Sequence, residues 1–213
     1  MSLSLSDHRK EYSLKKLTKK DVDPDPVRQF EIWFDEATES ITGEPNAMIL
    51  STAGADGKPS SRVVLLKGFS AEGFFFFTNY ASRKGKNLTE NPFAALLFFW
   101  GELERQLRIE GKVEKLSEEE SVKYFSSRPR LSQISALASD QSSPVLSRAV
   151  LEDKFRLLQQ KYEGKEVPHP VNWGGYCLKP EYFEFWQGRS NRLHDRISYR
   201  INGDDWQLER LSP

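Results

Sequence analysis

Glu184-Phe185-Trp186-Gln187-Gly188, then Arg189-Ser190-Asn191, then Arg192-Leu193-His194-Asp195-Arg196 run without a break near the end of the chain. Read as a strand from Leu193 to Ile201, the second half alternates its side chains between two faces. Arg192, His194 and Arg196 then share one face, with Leu193 and Asp195 on the other. Neighbouring like charges repel, so this spacing predicts an anion in front of the three cations. Phe185 and Trp186 add flat apolar surface just upstream, a pairing suited to an aromatic ring that carries phosphate. A solvated edge strand, whose charges discourage aggregation, gives the same pattern. On this stretch alone both readings stand.

Working outward, 213 residues and 24.6 kDa suffice to bury a full core as one domain. The expected organisation is a polar, basic, flexible segment over residues 1–24 and a single domain over 25–213. A hydrophobic content of 38% with 12% aromatics excludes a disordered chain. Thirty-one Lys and Arg balance 31 Asp and Glu, so a general polyanion binder is disfavoured and clusters of cations need local explanations. The single cysteine, Cys177, excludes an intrachain disulfide and fits a reducing compartment. With His8, His169 and His194 the only histidines, no Cys/His zinc site is expected. The N-terminus lacks the apolar core of a signal peptide, and Phe74–Phe77 and Phe93–Trp100 are too short to span a bilayer. A cytoplasmic protein without membrane or nucleic-acid partners is the expectation.

The remaining pattern is mostly that of strands. An amphipathic helix follows Pro26 and ends by Gly43, with Val27, Phe30, Ile32, Trp33, Phe34 and Ala37 at helical spacing. Strands are expected at Ala47–Ala53, Ser60–Phe69 and Phe74–Thr78, with Asp56-Gly57 as a hairpin turn. Ser82 is placed to cap a short helix that carries Arg83 and Lys84 at its start, a position suited to an anion although surface basic turns are common. Strands follow at Phe93–Trp100 and Arg105–Leu116, the second with Gln106, Arg108 and Glu110 on one face. Ser117-Glu118-Glu119-Glu120 forms a capping box for a helix to about Ser127. Tyr124 and Arg128 are four apart and adjoin on its surface, and Ser132 opens the next helix, Gln133–Ser139. Their convergence would hold a phosphate, and three independent surface positions explain them equally. A helix over Ser147–Tyr162, a strand beginning at Trp173, and strands at Tyr182–Gln187, Leu193–Ile201 and Asp205–Leu211 complete a mainly β domain with peripheral helices.

Taken in order, Arg62-Val-Val-Leu-Leu-Lys67, Phe77-Thr78-Asn79, Ser82-Arg83-Lys84, Glu104-Arg105-Gln106, Tyr124-Phe-Ser-Ser-Arg128-Pro129-Arg130, Ser132-Gln133-Ile134, Gln141-Ser142-Ser143, Trp173-Gly174-Gly175 and the 184–196 stretch resemble the pyridoxine (pyridoxamine) 5′-phosphate oxidase family. The ordered set, from about residue 9 to the C-terminus, is far more specific than any one piece. The resemblance implies a split β-barrel that binds FMN at the interface of a homodimer. It implies FMN contacts from Arg62, Val63, Val64, Leu65, Leu66, Lys67, Phe77, Thr78, Arg83, Lys84, Gln106, Gln141, Ser142, Trp186 and Arg196. The substrate phosphate would meet Lys67, Tyr124, Arg128 and Ser132. Arg192 and His194 would be catalytic, lying over the substrate ring, and Arg9 and Tyr12 would belong to a lid that closes over it. The implied reaction oxidises pyridoxine 5′-phosphate or pyridoxamine 5′-phosphate to pyridoxal 5′-phosphate by hydride transfer from the 4′ carbon to the flavin, with oxygen as acceptor and hydrogen peroxide as product. Two departures stand out: Phe77 where the family often has Tyr, and Ser135 and Leu137 where Gly and Trp are usual.

Three other functions remain in view. A flavin reductase of the same fold need not carry Tyr124, Arg128, Ser132, Arg192 and His194 together. A protein that merely binds FMN or pyridoxal phosphate would use the same pocket. An RNA-binding barrel is permitted by aromatic strands and disfavoured by zero net charge.

Overall fold

A computed structural model describes residues 11–203 and 205–213. The first helix, α1 (Pro26–Ser40), begins where Asp25 accepts a hydrogen bond from the Val27 amide at 2.8 Å and Pro26 presets the first helical turn. Its inward residues include Phe30, Trp33 and Ala37. Then come β1 (Ala47–Ala53), β2 (Pro59–Leu65), β3 (Gly68–Ser70), β4 (Gly73–Asn79), α2 (Arg83–Glu90), β5 (Phe93–Trp100), β6 (Arg105–Lys115), α3 (Glu118–Ser127), α4 (Arg130–Ala138), α5 (Arg148–Lys161), β7 (Trp173–Gln187), β8 (Asp195–Asn202) and β9 (Asp205–Arg210). The strands pair in the order β2-β1-β5-β6-β7-β4-β3, with β8 added to β7 and β9 to β8.

Beyond shifts of one residue at element ends, four features differ from the sequence reading, each for a local reason. The expected strand Ser60–Phe69 is two strands, because the chain changes partner after Leu65: β2 pairs with β1, whereas Gly68 already faces Phe75 of β4. The second short helix starts at Arg130 rather than Gln133. The Pro129 carbonyl accepts from Ser132 at 2.8 Å and from Gln133 at 3.1 Å, so Ser132 lies inside the first turn. β7 is one strand of 15 residues. Its first part pairs with β4 and its last with β8, and Pro180, which has no donor, falls between the two paired segments.

The fourth correction concerns residues 192–196. β8 begins at Asp195, so Arg192, His194 and Arg196 do not line one strand face. Ser190–Arg192 form a short 3-10 turn in which Asn191 and Arg192 both take left-handed backbone, φ 55° and 60°. Asn adopts that conformation readily and Arg does not, so a period-two reading cannot survive there.

The chain divides into two compact units. One comprises the residues through Ile49, Ala95–Glu110 and Pro180–Pro213. Its core is aromatic: Trp33 meets Phe185 edge-on at 5.0 Å, Phe30 lies 5.5 Å from Phe98, and Tyr199 lies 5.5 Å from Phe185. The other comprises Leu50–Ala94 and Gly111–Lys179. There Phe125, Ile134, Val167 and Trp173 are buried together beneath α3 and α4. At the head of α3 the expected capping box is present, with Ser117 and Glu120 bonded reciprocally. Ser117→Ala is expected to cost about 1 kcal/mol in chemical denaturation, the usual worth of such a cap. Among the described residues no helix is long and apolar enough to cross a membrane.

Candidate active site

In the second unit the residues expected to meet a cofactor gather at the start of α2. Ser82 caps that helix, and Lys84 in its first turn is buried. The Lys84 ammonium donates to Gln141 Oε1 at 2.8 Å, to Thr78 Oγ1 at 3.1 Å and to Ser82 Oγ at 3.4 Å. Arg62, on β2, donates to the Leu50 carbonyl at 3.0 Å, to Thr52 Oγ1 at 2.8 Å and to Ser60 Oγ. Every one of these partners is neutral. Among the described residues no carboxylate pairs with Arg62, Arg83 or Lys84. Burial, with Arg62 nearby, pulls the Lys84 ammonium down to about 8, and burial with Arg83 nearby lowers Arg62. A desolvated ammonium held by neutral oxygens is electrostatically incomplete, and a phosphate would complete it.

The neighbouring positions frame that cluster. Along β2, Val63 is exposed and Val64 and Leu65 are half-buried, while Leu66, just beyond it, is buried. Lys67 is exposed, its amide bonded to the Phe75 carbonyl at 2.8 Å. Gln141 and Ser142 lie in the loop after α4, Ser142 with left-handed φ 71°.

A second group in this unit is aromatic. Phe77 stacks on Tyr124 at 3.8 Å, and both lie nearly parallel to Trp173, at 5.6 and 6.1 Å. The Arg128 guanidinium rests 4.6 Å over the Trp173 ring, and its Nη1 is buried without a hydrogen-bond partner. Burial lowers the Arg128 guanidinium and raises the Tyr124 phenol. Arg128 is the C-cap of α3 with extended backbone, not a helical residue, and Ser132 is half-buried in α4. Gly174 and Gly175 permit this arrangement. A Cβ on Gly174 would strike the Tyr80 hydroxyl, and one on Gly175 would lie 2.7 Å from Phe77.

In the first unit, Tyr12, Trp186 and His194 converge. Trp186 and His194 are 4.6 Å apart, and Tyr12 meets both edge-on at 5.7 and 5.9 Å. His194 Nδ1 accepts from the Arg189 amide at 3.1 Å, and burial together with Arg192 lowers its basicity. Arg192 is exposed on its left-handed turn, and Gln106 is half-buried on β6. Arg196 is partnered from within the protein: Glu184 Oε1 accepts from its Nε at 2.8 Å. The same buried carboxylate accepts from Arg108 at 2.7 Å and from the Tyr182 hydroxyl at 3.1 Å. Arg9 lies outside the described residues. Sequence reasoning named neither Glu184 nor Trp173 as a site residue. The signal for Glu184 was a lone carboxylate inside an aromatic run, which must find cations once buried.

The fold is that of the split β-barrel proteins, as two solved structures show. PhzG from Burkholderia lata, in complex with tetrahydrophenazine-1-carboxylic acid, superimposes with TM-score 0.88 at 33% identity, covering 94% of this chain and all of that one. A pyridoxamine 5′-phosphate oxidase-related, FMN-binding protein from Nostoc punctiforme matches with TM-score 0.69 at 16% identity, over 89% and 98% of the two chains.

Sequence narrows the class further. Residues 34–162 match the family described as pyridoxamine 5′-phosphate oxidase, and 173–213 match the pyridoxine 5′-phosphate oxidase C-terminal dimerisation region. A Cyanothece protein named pyridoxine/pyridoxamine 5′-phosphate oxidase is 55% identical over the full length of both chains. The chain belongs to the pyridoxamine 5′-phosphate oxidase family.

Proposed function

We propose that this protein is an FMN-dependent oxidase that converts pyridoxine 5′-phosphate or pyridoxamine 5′-phosphate to pyridoxal 5′-phosphate, acting as a homodimer in the cytoplasm. The observation that carries the proposal is the cation cluster of Arg62, Arg83 and buried Lys84, which has no carboxylate among the described residues, in a chain of this family. Those three residues, with Thr78 and Gln141, would hold the FMN phosphate. Val63, Val64, Leu65, Leu66, Lys67, Phe77, Gln106, Ser142, Trp186 and Arg196 complete the proposed cofactor contacts. Bound flavin supplies the two-electron acceptor, which oxygen regenerates with release of hydrogen peroxide.

For the substrate, Lys67, Tyr124, Arg128 and Ser132 are the proposed phosphate contacts. The buried, unpartnered Nη1 of Arg128 is a donor waiting for such an acceptor. Arg192 and His194 would orient the ring and assist proton removal. Because Nδ1 accepts from Arg189, the neutral imidazole carries its proton on Nε2 and orients the substrate as a donor, and it can take up a proton only at Nδ1, by releasing the Arg189 amide. Protonation at Nδ1 would break that contact, so turnover is expected to fall as pH drops below the ordinary histidine range. With pyridoxine 5′-phosphate the balance is substrate plus O2 to aldehyde plus H2O2; the amine also consumes water and releases ammonia. Residues 1–24 would act as the lid and 25–213 as the catalytic domain.

The test is direct. Purified protein should be yellow, and should consume oxygen with either phosphate ester. Arg192→Ala and His194→Ala should each lower kcat/KM by about 10²-fold, the scale of a lost acid–base or orienting group. Colourless protein that takes up no FMN, or variants with intact turnover, would sink the assignment.

A further inference from the structure

We infer that Glu104 is a positioning residue whose carboxylate latches the segment at residues 12–14, so that Tyr12 stands against Trp186 and His194. Glu104 is buried, and its Oε2 accepts from two consecutive amides, Ser13 at 2.8 Å and Leu14 at 3.0 Å. Two amides forked on one charged oxygen fix the direction of the chain at that point, and with it the adjoining side chain.

The latch is itself held. Glu104 takes left-handed backbone, φ 54°, after the short turn Gly101–Leu103. Its carbonyl accepts from the Gly188 amide at 2.7 Å and from Gln187 Nε2 at 3.2 Å. A non-glycine residue pinned in that conformation marks a backbone position set by its surroundings. Gly188 then provides the seat: a Cβ there would lie 2.7 Å from Cγ of the Tyr12 ring. So one residue joins the segment, the Gly188 turn and the end of β7. Further on, Asp195 Oδ2 accepts from the Leu17 amide at 3.1 Å, and Leu17 is buried. The segment from Tyr12 to Leu17 is therefore tied at both ends, and its Tyr12 end depends on Glu104.

The inference rests on the oxidase reading for its kinetic consequence but not for the latch itself. Glu104→Asn retains a residue tolerant of left-handed backbone, with a side chain one methylene too short and uncharged. Hydrogen exchange at the Ser13 and Leu14 amides should quicken about tenfold or more, as expected for a lost protecting bond. The KM for pyridoxine 5′-phosphate should rise about tenfold with kcat changed less than twofold and FMN retained, the signature of lost substrate binding alone. Glu104→Gln, which keeps the reach, should fall between, and covers the case in which Glu104→Asn does not fold. Combined with Tyr12→Ala, Glu104→Asn should add nothing to the KM change, since both remove the same contact. Unchanged exchange overturns the latch, and faster exchange with unchanged KM overturns the positioning role. A wild-type protein inert toward the substrate removes the oxidase reading, and exchange at residues 13 and 14 still decides the latch.

Discussion

Replacing Glu184 with alanine is expected to cost about 1.5–3 kcal/mol of folding stability, measured by urea denaturation, because Arg196 loses its carboxylate and Arg108, partly exposed, is left with Glu110. The carboxylate is 2% exposed and accepts from Arg196, Arg108 and Tyr182 together. Removing the buried carboxylate takes the counter-charge from Arg196 and leaves the Tyr182 hydroxyl without its acceptor, while Arg108 retains Glu110 at 2.9 Å and solvent softens the loss at both arginines. The pH dependence follows in sign. Burial alone would raise the Glu184 carboxyl, yet the Arg196 hydrogen bond and the charges of Arg108 and Arg196 outweigh it and hold it below the ordinary 4.5. A group whose folded value is depressed contributes fully above the unfolded value, and that contribution is lost as pH falls toward the folded one. Wild type should therefore lose more stability than Glu184→Gln on acidification below about pH 4.5. Equal acid sensitivity in the two proteins would show that Glu184 is not the coupled group.

This carboxylate also answers the question posed by the 184–196 stretch. Its cations were expected to need an anion in front of them, and for Arg196 that anion is two residues before Trp186 in the same stretch. Alternation could not reveal it. Glu184 and Arg196 lie on adjacent strands in a register fixed by pairing Trp186 with Arg196, and register is a long-range property. Strands β1 and β5 were legible to the residue, because their apolar runs are bounded by turn residues on both sides. Capping signals placed α2 and α3 for the same reason: a cap is a local device. The errors cluster where the chain changes partner or turns left-handed, at Leu66, Pro180 and Asn191-Arg192, since neither event has a periodic signature. In the site, the residue types were visible from spacing and pattern, but their grouping came from the family resemblance alone. Lys84 reads as one more basic residue in a surface turn; only burial against Thr78 and Gln141 distinguishes it.

Lys84→Met is expected to stabilise the cofactor-free protein while weakening FMN binding about 10²-fold, opposite effects from one substitution. Met matches the length and apolar stem of lysine without its charge, so it removes a desolvated ammonium whose partners are all neutral. In the absence of an anion that ammonium is a cost, which its value near 8 records. Stability rises with pH here as it does for Glu184, because both folded values are depressed, but for Lys84 the charged form is the costly one. Between about 8 and the ordinary 10.5 the unfolded chain binds the proton and the folded one does not, so the stability of the wild-type apoprotein should rise across that interval. Lys84→Met should abolish that rise. A bound phosphate reverses the balance, because it favours the charged form and converts the cost into a charge-assisted hydrogen bond worth about 1.5–3 kcal/mol. FMN should then stabilise wild type far more than the variant in thermal melts at equal ligand concentration. If Lys84→Met instead destabilised the apoprotein and left the FMN dissociation constant unchanged, the ammonium would be a structural donor to Gln141 and Thr78, and the phosphate would have to bind elsewhere. A site that is unstable without its ligand and complete with it is what binding energy requires of a fixed cation, since the strain kept in the empty protein is released only when the right charge arrives.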